Sequence, residues 1–368
     1  MILDVLYRVP GFNINSLRRY CVLINHKGTD MKARLISLLI AATIAMVSPS
    51  TRAVGFKQIS VPDTGESDLT VGLWYPSEQA EPKEPNTRFG MALAVDAPIG
   101  ETNGGLILIS HGYSGWYAGH ADTAVALAEA GYIVAAPSHT GNTWSDMSSS
   151  VPKWLLDRPR HISLIIDHLF TNASFSTKLS NEKIGLYGFS AGGYTALGLI
   201  GGVPDFDHAQ NHCLTHPDEF VCSEGLFDAM VDAKMNELPV TAWGADQRIQ
   251  AVAIAAPGWG FAYPEASLSN VTAAVQLWSG MLDQSVPTQT NAAFLAKQLP
   301  EKPETHFIDN ANHFAFLVMP CREAFKQEDP EEYEMVCGDA PGFDRYAFHR
   351  EMNKKMVRFF NEKIGIKE

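Results

Sequence analysis

Cysteine is scarce in this sequence, positive charge is outnumbered, and past residue 53 no apolar run is long enough to cross a bilayer. The five cysteines include no C-x-x-C pair, so a zinc framework has no spacing to rest on. Basic residues number 28 against 41 acidic ones, a formal charge of −13. Such a surface repels phosphate backbones and anionic lipid, which argues against nucleic acid as a partner. There is no internal repeat and no extended low-complexity tract. With 368 residues, the chain has length for one large α/β domain or two small ones.

What is present begins with a leader. Met31-Lys-Ala-Arg34 is a positive opening, Leu35 to Val47 is apolar, and Thr51-Arg-Ala53 ends in small residues. This reads as a secretory signal peptide starting at Met31 with cleavage near Ala53, and Met1 to Asp30 as an upstream extension. The apolar run is too short for a comfortable membrane anchor. The expected destination is the periplasm or the exterior, with no transmembrane segment after cleavage. Residues 1–53 hold seven basic and two acidic side chains; the remaining 54–368 carry 21 and 39, a charge of −18. Four cysteines remain as two sequence-local pairs, Cys213 with Cys222 and Cys321 with Cys337. In an exported chain that spacing predicts two disulfides.

The body of the chain alternates strand and helix. Gly55–Val61 and Leu69–Tyr75 read as edge strands around the turn Pro62–Gly65, and residues 78–103 mostly as a surface loop. Gly105–Ser110 is continuously apolar, the mark of a strand buried on both faces. Further strands are expected at Tyr132–Ala136, Ile184–Tyr187, Ile249–Ala255, Ala274–Trp278 and Thr305–Ile308. Helices are expected near 119–130, 154–170, 191–200, 290–299 and 344–361, the second and last from apolar residues at three- and four-residue spacing. Residues 201–247 break this alternation with a polar segment, read as a cap-like insertion in one domain spanning 54–368. Alternating elements imply a mostly parallel sheet with helices on both faces.

The centre of the sequence is Gly188-Phe-Ser-Ala-Gly192, between an apolar strand and a helix of small residues. G-x-S-x-G in that context is the nucleophile-elbow pattern, which holds Ser190 Oγ out at the strand end. A serine hydroxyl needs a base, usually histidine oriented by a carboxylate. Asp283 follows one strand and His313 another; Asp309, four residues before His313, is the competing carboxylate. The order Ser190, Asp283, His313 suits such a sheet. Ala191 N–H and Tyr113 N–H, the latter in His111-Gly-Tyr113, are the expected oxyanion donors. His111 reads as a loop brace, and His139 as a cleft or brace residue. Phe189, Trp116, Trp259 and Phe314 are candidate substrate-binding side chains, since aromatics flank the expected strand ends. His208, His212 and His216 share a helix face, but without a carboxylate cluster no metal site is assigned.

His111-Gly-Tyr-Ser-Gly115, Gly188-Phe-Ser-Ala-Gly192, the Asp283 loop and Asn312-His313-Phe314 together resemble the α/β-hydrolase superfamily. Leu73-Trp-Tyr-Pro76 and Asp157-Arg-Pro159 are similar to the bacterial group of predicted dienelactone hydrolases related to platelet-activating-factor acetylhydrolases and polyester hydrolases. The likeness runs from about Gly55 onward. It implies an α/β-hydrolase fold and cofactor-free hydrolysis of small-molecule or lipid-like esters through Ser190, Asp283 and His313. True dienelactone hydrolases use a cysteine where this chain has Ser190, so their substrate is not implied. An amide or peptide hydrolase on the same residues, or a non-catalytic binding protein of the same fold, are the alternatives. Oligomeric state is not encoded in any feature of the sequence.

Overall fold

In the computed structural model, which describes residues 52–223, 226–318, 321 and 323–365, nine strands form one sheet in the order β3-β1-β2-β5-β4-β6-β7-β8-β9. The strands are β1 (Arg52–Val61), β2 (Leu69–Ala80), β3 (Ala94–Val95), β4 (Leu106–Ser110), β5 (Ile133–Ser138), β6 (Ile184–Phe189), β7 (Ile249–Ala255), β8 (Ala274–Gly280) and β9 (Glu304–Ile308). β2 runs antiparallel to β1 and β5, and every pairing from β5 through β9 is parallel. Parallel neighbours need crossovers, and helices lie on most of them: α1 (Ala121–Glu129), α2 (Val151–Thr171), α3 (Ala191–Leu199) with α4 (Phe206–Thr215), and α5 (Ala292–Gln298), while α6 (Arg345–Ile364) follows the last strand.

Strand alternation divides the core into two layers. Leu106, Leu108, Ile184 and Leu186 pack with α2 and α3, while Ile107, Ile109, Tyr187 and Phe189 pack with α1 and α6. Both faces of β4 and β6 are buried, which is why these strands read as unbroken apolar runs. Across the second layer, Asp122 of α1 accepts from His349 Nδ1 at 2.7 Å and Thr123 donates to Asn353 at 2.8 Å. These bonds satisfy the polar groups that the two helices bury.

Several boundaries differ from the sequence-based expectations. α2 starts at Val151, because Pro152 fits a first helical turn and Ser150 is extended before it. Within the expected loop 78–103, Ala94–Val95 pairs with Gly55 and Phe56 and forms the outer edge beyond β1. A helix at Pro330–Cys337, capped by Asp329 accepting from Glu332 N–H, lies in a stretch with no expected element. The segment 201–247 contains α4 and shorter helices at Phe220–Ser223 and Leu226–Asp232. Cys213 and Cys222 are joined, as are Cys321 and Cys337, with Cα separations of 5.4 and 5.9 Å that suit disulfides. No helix among the described residues is long and apolar enough to cross a membrane. The expected leader lies outside the described residues apart from Arg52 and Ala53, which open β1.

Candidate active site

Ser190 stands at the turn between β6 and α3 with φ 53° and ψ −115°, a conformation an L-residue adopts only under constraint. The constraint is visible in the backbone. Ser190 N–H donates to Ala255 O at 2.9 Å, and its own carbonyl accepts from Gly193 N–H and Gly258 N–H at 2.7 and 3.0 Å. A side chain at Gly188 would collide with the Gly192 carbonyl, and one at Gly192 with that of Ser110. The two glycines of the G-x-S-x-G pattern are therefore sites of backbone-to-backbone approach.

Two other strand ends bring partners to this serine. Beyond β8, Asp283 is turned back by its N–H donating to Gly280 O, while its Oδ1 accepts from Val286 N–H at 2.7 Å. Beyond β9, His313 opens a 3-10 turn capped by Asn312, whose Oδ1 accepts from Ala315 N–H and whose Nδ2 donates to Gly338 O. His313 Nδ1 lies 2.7 Å from Asp283 Oδ2, and His313 Nε2 lies 3.1 Å from Ser190 Oγ. The Asp283 carboxylate is fully shielded from solvent. Asp309, by contrast, is exposed in the turn after β9.

The overall arrangement has a solved counterpart. A ferulic acid esterase from Streptomyces cinnamoneus, determined at 2.4 Å, matches with a TM-score of 0.59 at 18% identity, covering 87% of this chain and 92% of that one. The fold is the α/β-hydrolase fold. No protein-family model matches the sequence, and no curated protein matches it.

The loop after β4 runs past the serine, and its backbone is held by a buried cation. Arg158 of α2 has no exposed surface. It donates to the carbonyl oxygens of His111 and Gly112 and to Asn142 Oδ1, the last at 2.7 Å. Gly112 O also lies 2.7 Å from His111 Nδ1, which must carry the proton of that bond. His111 Nε2 in turn accepts from His139 N–H at 3.1 Å, so the ring is neutral. Burial, then the nearby Arg158 charge, push the His111 pKa well below its ordinary value, in agreement with that tautomer. Burial also lowers Arg158, to about 9, which leaves it charged at neutral pH. His139 continues the network, with Nε2 3.0 Å from Ser110 Oγ and Nδ1 3.2 Å from His161 Nδ1.

A trans peptide points its C=O and N–H in opposite directions. With Gly112 O turned to Arg158 and His111, Tyr113 N–H faces the other way. A Cβ at Gly112 would lie 2.9 Å from the Phe189 ring and 3.4 Å from Ser190 Cβ, so this loop runs against the serine itself. Ala191 N–H is the first of α3 and thus one of the helix's free donors.

A cavity opens beside Ser190. Of the aromatic side chains expected to bind substrate, Trp259 lines it; so do Tyr113 and Phe261, two further aromatics at the expected strand ends, and Trp154 of α2, which no strand-end position singles out. Phe189 turns to the opposite layer and packs 5.0 Å from the His313 ring. Trp116 packs on Phe89 and Tyr117, and Phe314 lies edge-on to His313; neither lines the cavity. His212 is stacked between His216 and Phe261. Among the described residues, no group of three His, Cys, Asp or Glu side chains is arranged to hold a metal.

Proposed function

We propose that this protein hydrolyses carboxylic esters through a serine acyl-enzyme. The observation that carries the reading is the hydrogen-bonded series from Asp283 to His313 to Ser190, ending on a serine in a strained turn. Asp283 fixes the imidazole with Nδ1 protonated and Nε2 free to accept the Ser190 proton. As that proton moves to His313, Oγ forms a bond to the ester carbonyl carbon, and Asp283 stabilises the imidazolium. The oxygen of the tetrahedral intermediate is received by Tyr113 N–H and Ala191 N–H. The C–O bond then breaks, and His313 returns its proton to the departing alcohol. Water, deprotonated by His313, attacks the acyl-enzyme in the same way and releases the acid.

The ferulic acid esterase with this fold, in which the acid is aromatic, supports an ester whose acid or alcohol part fills the aromatic cavity. Within the superfamily, the dienelactone-hydrolase-like group remains the nearest reading, on the motifs that carry it. Two joined cysteine pairs favour an oxidising compartment, and with the sequence of residues 31–53 they support export to the periplasm or beyond. The segment 201–247 serves in this reading as a cap over the cavity.

The test is hydrolysis of para-nitrophenyl esters, acetate to palmitate, by the protein and by Ser190→Ala. Loss of turnover of about a millionfold is expected in the variant, against unchanged thermal unfolding. Substantial residual activity would remove Ser190 from its role. Turnover of anilides at rates rivalling esters would move the reading to an amide hydrolase, and no turnover with no labelling by a fluorophosphonate would leave a binding protein.

A further inference from the structure

The wall of the cavity beside Ser190 is apolar or neutral except where residues 219–221 complete it. Glu219 is only 8% exposed there. A carboxylate so far removed from water is unfavourable unless hydrogen bonds or a cation offset its lost hydration. Among the described residues its side chain has one ion-pair partner, His212, whose Nε2 lies 3.2 Å from Glu219 Oε1. No Lys or Arg lines the cavity.

His212 cannot act as the missing cation. Its ring is held between His216 and Phe261 at centroid distances of 4.1 Å each, nearly parallel to both. Burial lowers its pKa, and the His216 ring adds to that, so that even with Glu219 alongside the imidazole is neutral near pH 7. The second carboxylate oxygen of Glu219 is left without any side-chain partner among the described residues. Elsewhere the wall of the same cavity is aromatic, with Trp154 and Trp259 rings 5.5 Å apart and Tyr194 set edge-on to Trp259 at 5.2 Å. Such walls favour a flat or cationic group and give it no competing acceptor of equal strength. A ligand entering this space displaces water from the carboxylate and must replace the hydrogen bonds it removes.

Building on the ester-hydrolase reading, we propose that Glu219 is a specificity-determining residue that reads a positively polarised O–H or N–H. The substrate is an ester whose cavity-filling part is an apolar, ring-bearing group ending in a hydroxyl or an ammonium. An unsubstituted ring leaves the carboxylate unpaired and is selected against on that account. This carboxylate places the chemical preference of the site in the insertion, whereas the reacting groups all come from strand ends.

The experiment compares three matched ligands: phenylpropanoate methyl ester and its para-hydroxy and para-aminomethyl forms, with the corresponding phenethyl acetates as the set varied on the alcohol side. kcat/KM is measured for the wild type, Glu219→Gln and Glu219→Leu, and binding of the same esters to Ser190→Ala and Ser190→Ala/Glu219→Leu is followed by calorimetry. In one of the two sets the donor-bearing ester is expected to exceed the unsubstituted one by on the order of ten- to a hundredfold. Glu219→Leu should abolish or reverse that ratio. Glu219→Gln should keep a hydroxyl preference and lose an ammonium preference, which separates the two donors. Ratios within each variant cancel any general loss of activity. Ratios near one in both sets, or ratios unmoved by Glu219→Leu, overturn the proposal while leaving Ser190-dependent hydrolysis standing. Donor-selective binding that Glu219→Leu removes, in a protein that turns over none of the esters, would uphold the subsite and overturn the hydrolase reading instead.

Discussion

At the scale of single residues, the group most tightly committed is Arg158. A buried guanidinium with no carboxylate among its hydrogen-bond partners is a costly arrangement, and its donors go instead to two successive carbonyls of the loop facing Ser190. Those carbonyls fix the peptide that presents Tyr113 N–H. In the proposed mechanism Arg158 is thus a positioning residue, acting through the backbone and not on the substrate. Lysine cannot span both carbonyls and Asn142 with one ammonium. Arg158→Lys is therefore expected to lower kcat about a hundredfold, the usual effect of losing one oxyanion donor, with KM little altered. The check is the split between kcat and KM on one activated ester, with binding of a phosphonate transition-state analogue measured beside it. A loss carried by KM, or analogue binding equal to wild type, would reduce Arg158 to a packing role.

Secondary-structure elements differ in how openly the sequence displays them. β4, β6 and, from Ala251 onward, β7 were legible because both faces are buried, which favours a nearly unbroken apolar run. Ser190, Asp283 and His313 could be picked out because each lies within five residues of a strand's C-terminal end, and chain order limits which partners can meet. β3 was not legible, since two residues carry no periodicity. Pro330–Cys337 is a helix with Val336 as its one buried residue, so no apolar face announces it. Arg158 and Glu219 were missed for a related reason: charged residues in helical or polar segments ordinarily face solvent, and only packing shows these two buried. Phe189 precedes the serine, but adjacent strand residues point to opposite faces, which sends its ring into the other layer.

The same scale carries a prediction about the insertion. Cys213 at the end of α4 is joined to Cys222 in the following short helix, and the chain between them brings Glu219, Phe220 and Val221 to the cavity wall. In the chain-entropy model a loop of this length contributes about 3 kcal/mol. Cys213→Ala/Cys222→Ala should lower the melting temperature and raise KM for an aryl ester more than for an acetate, because only the larger group reaches that wall. Equal effects on both esters would show that the crosslink stabilises the fold without shaping the cavity.

For the molecule as a whole, two electrostatic effects oppose one another as the pH falls. The chain carries a formal charge of −13, and protonating surface carboxylates relaxes its self-repulsion, which would stabilise the folded state. Against this stand four histidines that burial keeps neutral. His120 and His161 are each lowered to about 4, and His111 and His139 lie well below their ordinary value, burial being the first cause in every case. In the unfolded chain these rings take up protons near pH 6.5, so between that value and about 4 the unfolded state binds more protons than the folded one. Their contribution to stability is then complete above pH 6.5 and is lost as the pH falls toward 4. Each ring gives a slope of about 1.4 kcal/mol per pH unit across that window. Exposed charges are screened and individually weak, so the buried rings should dominate. The urea midpoint is expected to drop steeply from pH 7 to pH 5, with Asp122 adding little there, because hydrogen bonds from His349 and Asn353 outweigh its burial and hold its carboxyl below the ordinary range. A midpoint that stays level or rises would mean that the rings beneath the Gly112 loop accept protons in the folded state. Arg158 would then share its site with further positive charge, and the neutral His111 that braces the Tyr113 peptide would not persist at that pH.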